Sequence, residues 1–138
     1  MIQFTYYGEI RGKGRPRFRN VGKFIQTYTD NETRNYESSL KEAYLLSGCE
    51  AYMQPELPLR LTMKVYCPIP KSVSKKKAKE MVDGLIRPTK KPDIDNILKS
   101  VFDALNQVAF YDDTQIIEIA ASRYYDYTPR IEICISEV

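Results

Sequence analysis

DIDNILKSVFDALNQVAFYDDTQIIEIAA, residues 93–121, changes its hydrophobic period partway along. Ile94, Ile97, Leu98, Val101, Phe102 and Leu105 fall at spacings of 3, 1, 3, 1 and 3, which describes one apolar face of an amphipathic helix. After AFYDDTQ, Ile117, Ile119 and Ala121 recur at every second position, the period of a strand. A helix running into a strand predicts helices packed on a sheet, and the flanking sequence repeats both periods.

Upstream, Leu59, Leu61, Met63, Val65 and Cys67 alternate with Arg60, Thr62, Lys64 and Tyr66, a strand that CPIPKS ends. SKKKAKEMVDG then reads as a short lysine-rich helix, capped by Ser72 or Ser74 and closed at Gly84, before the irregular LIRPTKKP. At the start of the chain Ile2, Phe4 and Tyr6 alternate as a strand. GEIRGKGRPRFRN breaks that pattern with three glycines and a proline, so Arg11, Lys13, Arg15, Arg17 and Arg19 fall on a mobile loop or a hairpin. From Thr29 or Asp30, both good caps, a helix is predicted to Gly48, with Tyr36, Leu40, Ala43, Tyr44 and Ser47 on one face. Ile131, Ile133 and Ile135 form a last strand after YYDYTP. The expected architecture is α+β: one small domain over residues 1–138, with a mixed or antiparallel sheet packed by helices.

The 138 residues suit one domain, and 43% hydrophobic with 28% charged residues is ordinary for a folded soluble chain. No apolar run reaches bilayer length, and MIQFTYYGEI alternates rather than forming a leader, so a cytoplasmic location without a membrane partner is expected. Cys49, Cys67 and Cys134 are an odd, widely spaced set that fits neither a disulfide framework nor a zinc site; buried free thiols are expected. The absence of histidine excludes Ser-His-Asp triads, HExxH zinc sites and histidine general bases. Chemistry here has to come from carboxylates, lysines, hydroxyls or a bound ion.

The net charge of +3 is unevenly placed. Residues 1–23 carry six basic side chains against one acidic, and 71–91 carry eight against two, whereas 92–138 carry nine acidic against three basic. A basic surface around an acidic centre follows. Pro92 pushes Lys91 out of helical geometry, so Asp93 is expected at or near the helix cap, Asp95 in the first turn, Lys99 one turn on and Asp103 beyond it. A bland account covers these: aspartates cap the helix start, and Asp95 with Lys99 forms an i,i+4 pair. Against it stands a second acidic pair, Asp112 and Asp113, where the chain turns into a strand that could return it beside the helix. Carboxylates meeting at one site repel unless a divalent cation holds them, and hard oxygen donors without histidine or thiolate select Mg²⁺ or Mn²⁺. Such an ion activates water at a phosphodiester while surrounding lysines and arginines hold the polyanion. Lys99 would steady the pentacoordinate phosphate or the leaving oxygen.

KPDIDNILKSVFDALNQVAFYDDTQI, residues 91–116, resembles the core signature of the RusA family of Holliday junction resolvases: D-x-D-N-hydrophobic-x-K opening a helix, then D-D-x-Q-hydrophobic. GKGRPR, residues 12–17, is similar to the basic N-terminal region of phage and prophage members. The resemblance implies that Asp93, Asp95 and Asp113 bind Mg²⁺, that Lys99 is the catalytic lysine, and that Asp112 is a further acidic position. It also implies a homodimer that cuts four-way junctions by symmetric paired nicks, in recombination, repair or phage DNA processing. This chain inserts the lysine-rich 71–91 region relative to the shortest members and has one residue fewer between helix and DD pair.

For DNA contact the sequence offers Arg11, Lys13, Arg15, Arg17 and Arg19 with Phe18, Phe24 and Tyr28 interleaved, then Lys75, Lys76, Lys77, Lys90 and Lys91. Lysines on the 75–77 face serve either DNA or solubility. Tyr124, Tyr125 and Tyr127 are read as sheet or interface packing rather than base stacking. Two rival functions are compatible with the same residues: a non-catalytic protein that binds branched DNA, and a metal-dependent nucleotide phosphohydrolase.

Overall fold

A computed structural model describes residues 1–13, 17–28 and 31–138, with the backbone alone at 17, 27 and 28. Arg15 and the expected caps Thr29 and Asp30 lie outside the described residues. In chain order the elements are β1 (Ile2–Tyr7), β2 (Arg17–Val21), β3 (Phe24–Tyr28), α1 (Asn31–Ser47), β4 (Leu59–Pro68), α2 (Lys75–Val82), α3 (Ile94–Leu105), a 3-10 turn (Asp113–Gln115), β5 (Ile116–Asp126) and β6 (Arg130–Glu137). Of the basic segment after β1, Arg17 and Arg19 fall on a hairpin, β2–β3, while Arg11 and Lys13 precede it.

The main sheet runs β1-β6-β4-β5; β6 is antiparallel to both neighbours and β4 is parallel to β5, so the sheet is mixed. Parallel neighbours need a crossover, and α2 with α3 supplies it. Although consecutive in sequence, β5 and β6 do not pair; β4 lies between them. One face of the sheet is the core face. Ile2, Phe4, Tyr6, Leu59, Leu61, Met63, Val65, Ile131, Ile133 and Ile135 are buried there under Tyr36, Leu40 and Tyr44 of α1 and Ile97, Val101, Ala104 and Leu105 of α3. The period-2 and period-3.6 patterns in the sequence thus meet in a two-layer core.

β5 departs from its apolar pattern. A register shift opposite Leu59 and Arg60 pairs Ile116 with Leu59 and Ile119 with Leu61. As the sheet's edge, β5 leaves Ile117 60% and Ile119 47% exposed. On the face away from α1 and α3, Tyr66 and Tyr124 stack with centroids 5.4 Å apart, with the Arg130 guanidinium 3.7 Å above Tyr66 and that of Arg87 3.9 Å above Tyr124. Packing is therefore the role of Tyr124, as the sequence suggests. The three cysteines are unpaired and only partly buried. Among the described residues no helix is long and apolar enough to cross a membrane.

Candidate active site

Asp93 is the N-cap of α3, with extended backbone angles, yet its side chain makes no capping hydrogen bond. Asp95 and Lys99 follow in the next turns, exposed, and among the described residues they form no ion pair with each other or with another side chain. Neither structural role that would explain these residues is filled. Their charges, and the uncapped N–H groups of the first turn, remain available to a ligand.

The segment before α3 is held from the sheet. Arg123 lies on β5 opposite buried Val65, which turns its side chain toward the helices. From there its guanidinium Nη1 donates to the carbonyls of Lys90 and Pro92, both at 2.8 Å. The backbone carbonyl of Arg123 accepts in turn from Arg87 Nε at 2.6 Å. On the other side, the Lys13 N–H donates to the Asn96 carbonyl at 3.2 Å, and Gly12 packs so closely that a methyl group there would stand 3.0 Å from the Cβ atoms of Pro92 and Asn96. Only glycine fits. Arg11, Lys91, Pro92, Asp93 and Asn96 line a cleft of about 460 Å³ against this strap.

Removing the Arg123 clamp has a measurable consequence. Arg123→Met leaves the two carbonyls without their charged donor, a loss of about 1.5–3 kcal/mol per hydrogen bond at most. Amide exchange at residues 93–96 is expected to accelerate well beyond that of β4. Unchanged exchange there would show that the clamp does not hold the helix start.

Asp112 and Asp113 occupy the other end of α3. The Gln115 side chain fixes this turn: Oε1 accepts from the Asp112 N–H at 2.9 Å, while Nε2 donates to the carbonyls of Gln54 and Leu57 at 2.9 and 3.0 Å. Asp112 Oδ2 accepts from Thr114 Oγ1 at 2.8 Å. The glutamine of the D-D-x-Q motif is thus a buried structural brace. Burial first, then the neighbouring Asp112 and Asp103 carboxylates, push the Asp113 carboxyl above its ordinary range.

One chain therefore holds its acidic residues in two groups. α3, twelve residues and about 18 Å long at 1.5 Å each, starts at the Asp93 and Asp95 group and ends before the Asp112 and Asp113 turn. Asp113 has Asp112 and Asp103 as its charged neighbours, whereas Asp93 and Asp95 sit at the helix start. Among the described residues no three Asp, Glu, Cys or His side chains gather closely enough to hold a metal ion. The donor chemistry suits a hard cation, but a single chain does not bring Asp93, Asp95 and Asp113 around one.

The basic residues divide similarly. Lys13 bridges Glu37 at 2.5 Å and Asp103 at 3.0 Å, and Arg11 pairs with Glu32 at 2.7 Å, so both tie the strap to α1 and α3. Burial alone would lower the Lys13 ammonium pKa; the two carboxylates outweigh it and hold the group charged. Lys75, Lys76, Lys77, Lys90 and Lys91 are exposed, and Arg19 lies on the exposed hairpin, its Nε donating to Gln26 at 2.9 Å. The sequence reading missed Arg87, Arg123 and the bracing role of Gln115. Their partners lie far off in the chain, and no local pattern signals them.

Comparison with known proteins adds an independent finding. The profile of the family described as Endodeoxyribonuclease RusA matches residues 8–136. A Bacillus subtilis (strain 168) protein named only as uncharacterized protein YqaN is 40% identical over 145 residues, covering 99% of this chain and 96% of that protein. The crossover junction endodeoxyribonuclease rusA of Lactococcus phage r1t is 30% identical over 115 residues, covering 83% of this chain and 79% of that protein.

Proposed function

The chain belongs to the RusA endodeoxyribonuclease family, and from that premise we propose that it is a divalent-ion-dependent nuclease that resolves four-way DNA junctions as a homodimer, by paired nicks. The observation that carries this reading is the uncommitted state of Asp93, Asp95 and Lys99 beside a cleft carrying Arg11 and Lys91. Asp93, Asp95 and Asp113 are the proposed ligands of Mg²⁺, for which Mn²⁺ could substitute, and Lys99 the group that steadies the phosphate in transit. The ion would supply an activated water and neutralise charge on the phosphodiester. The Lys90 and Lys91 side chains, with the α3 N-terminus, would hold the DNA backbone against these carboxylates.

Dimerisation reconciles this ligand set with its two-group arrangement. Two copies placed side by side along the free edge of β5, about a two-fold axis, run their α3 helices antiparallel. Asp112 and Asp113 of one copy then stand beside Asp93 and Asp95 of the other. Three features favour this surface: exposed Ile117 and Ile119 on β5, half-buried Ile94, Leu98 and Phe102 on α3, and opposite charge at its two ends. Arg87, Lys90 and Lys91 mark one end, Asp112 and Asp113 the other.

The test is incubation with a synthetic four-way junction, with and without Mg²⁺, mapping nicks on every strand. Mg²⁺-dependent nicks on opposite arms are expected, in keeping with a role in recombination, repair or phage DNA processing in the cytoplasm. Tight junction binding without nicking under any divalent ion would instead favour a non-catalytic junction-binding protein.

A further inference from the structure

Among the described residues, the apolar side chains of the β2–β3 hairpin lie outside the core. Every side chain described from Phe18 to Gln26 is exposed, with Phe18 at 68%, Phe24 at 76% and Ile25 at 72%. A two-stranded ribbon standing alone is marginal in water, so exposed aromatics on it call for an occupant. Its charge says which. Residues 17–28 carry Arg17, Arg19 and Lys23 and no acidic residue.

The register defines a shaped tip. Val21 pairs with Phe24 across a two-residue turn of Gly22 and Lys23, with Gly22 at φ +61°. The apolar pair at the tip is followed, on the same face of the ribbon, by the Arg19–Gln26 pair, with Lys23 in the turn itself. Five paired positions give an arm about 17 Å long. An apolar tip flanked by cations suits DNA whose bases are unstacked: the cations take phosphates, and the tip enters a base step at a cost of a few kcal/mol, least where stacking is already broken.

We propose that the β2–β3 hairpin is a wedge that enters the branch point of a DNA junction, with Val21 and Phe24 inserted and Arg19 and Lys23 on the adjacent phosphates. This rests on the reading of the chain as a branched-DNA nuclease and extends it from phosphate binding to opening of the branch. The wedge acts before hydrolysis and involves none of the acidic residues.

The test uses the full-length protein, a four-way junction carrying 2-aminopurine at the branch, and a second junction with unpaired bases there. Val21→Thr/Phe24→Thr keeps strand-forming residues and every cation. It is expected to lose the fluorescence rise on binding and to cut the fully paired junction about tenfold more slowly, while cutting the pre-opened junction within about threefold of wild type. Phe24→Leu, which restores an apolar tip, should recover both. Opening and cutting by the threonine variant at wild-type levels would overturn the wedge and leave the nuclease assignment intact. Loss of cutting on both junctions together with dissociation to monomers would overturn it too, because the arm would then hold the second copy. Failure of the wild-type protein to bind or cut any branched DNA would instead remove the nuclease reading itself.

Discussion

Asp95→Ala and Asp113→Ala are each expected to abolish junction cleavage, by about a thousandfold or more, while junction binding stays the same or tightens. On the proposed reading, each variant removes an anionic ligand of an ion that would contribute several kcal/mol to the transition state, which accounts for the rate loss. The binding gain follows because each variant deletes a negative charge near the DNA phosphates. The pH argument sharpens the case at Asp113. Burial, then Asp112 and Asp103, raise the pKa of its carboxyl; a group with a raised folded-state pKa stabilises the fold below its unfolded value and loses that contribution as pH rises through the folded one. At neutral pH the ionised Asp113 therefore costs stability. Asp113→Asn should melt higher than wild type in EDTA and yet be inactive in Mg²⁺. Full cleavage by the Asp95 or Asp113 variant would end the assignment of these residues to the site.

The second large effect concerns two inactive proteins that become active together. If each site takes Asp93 and Asp95 from one copy and Asp113 from the other, co-expressed Asp95→Ala and Asp113→Ala chains form mixed dimers in which one site is whole and its twin lacks both groups. Random pairing makes half the dimers mixed, so about a quarter of the wild-type sites return. Such a dimer nicks but does not resolve, because the opposing strand meets the dead site. The expected products are singly nicked junctions from the mixture and none from either variant alone. A mixture as inactive as its components would show that each site is built within one chain.

How much of this is legible in the sequence varies with the range of the interactions. α3, β4 and the order of elements are written in local periodicity, because a core face must repeat at the pitch of its own element. Asp93 at the cap follows from Pro92 in the same local way. The pairing of β4 with β5, rather than β5 with its sequence neighbour β6, depends on where the crossover helices pack, and no short window carries that. The bulge that exposes Ile117 is equally non-local. At the site, the residue types point to a hard cation, but their spacing in the sequence does not reveal that one group sits at the start of α3 and the other in a separate turn beyond its end. Lys13 illustrates the limit from the other side. As one cation in a basic run it reads as a DNA contact, whereas Glu37 and Asp103, distant in sequence, tie it to the two helices.

The parallel pairing of β4 with β5 also orders the events of folding. Everything from Ile69 to Gln115 must be looped out before those two strands meet, and closing a long loop costs entropy before any contact repays it. Arg123 sits within β5 and the Asp112–Gln115 turn immediately before it, so neither end of α3 acquires its final position until that closure is complete. A nascent or partly unfolded chain consequently cannot align the groups proposed for hydrolysis, so any cutting activity arises only with the finished tertiary structure.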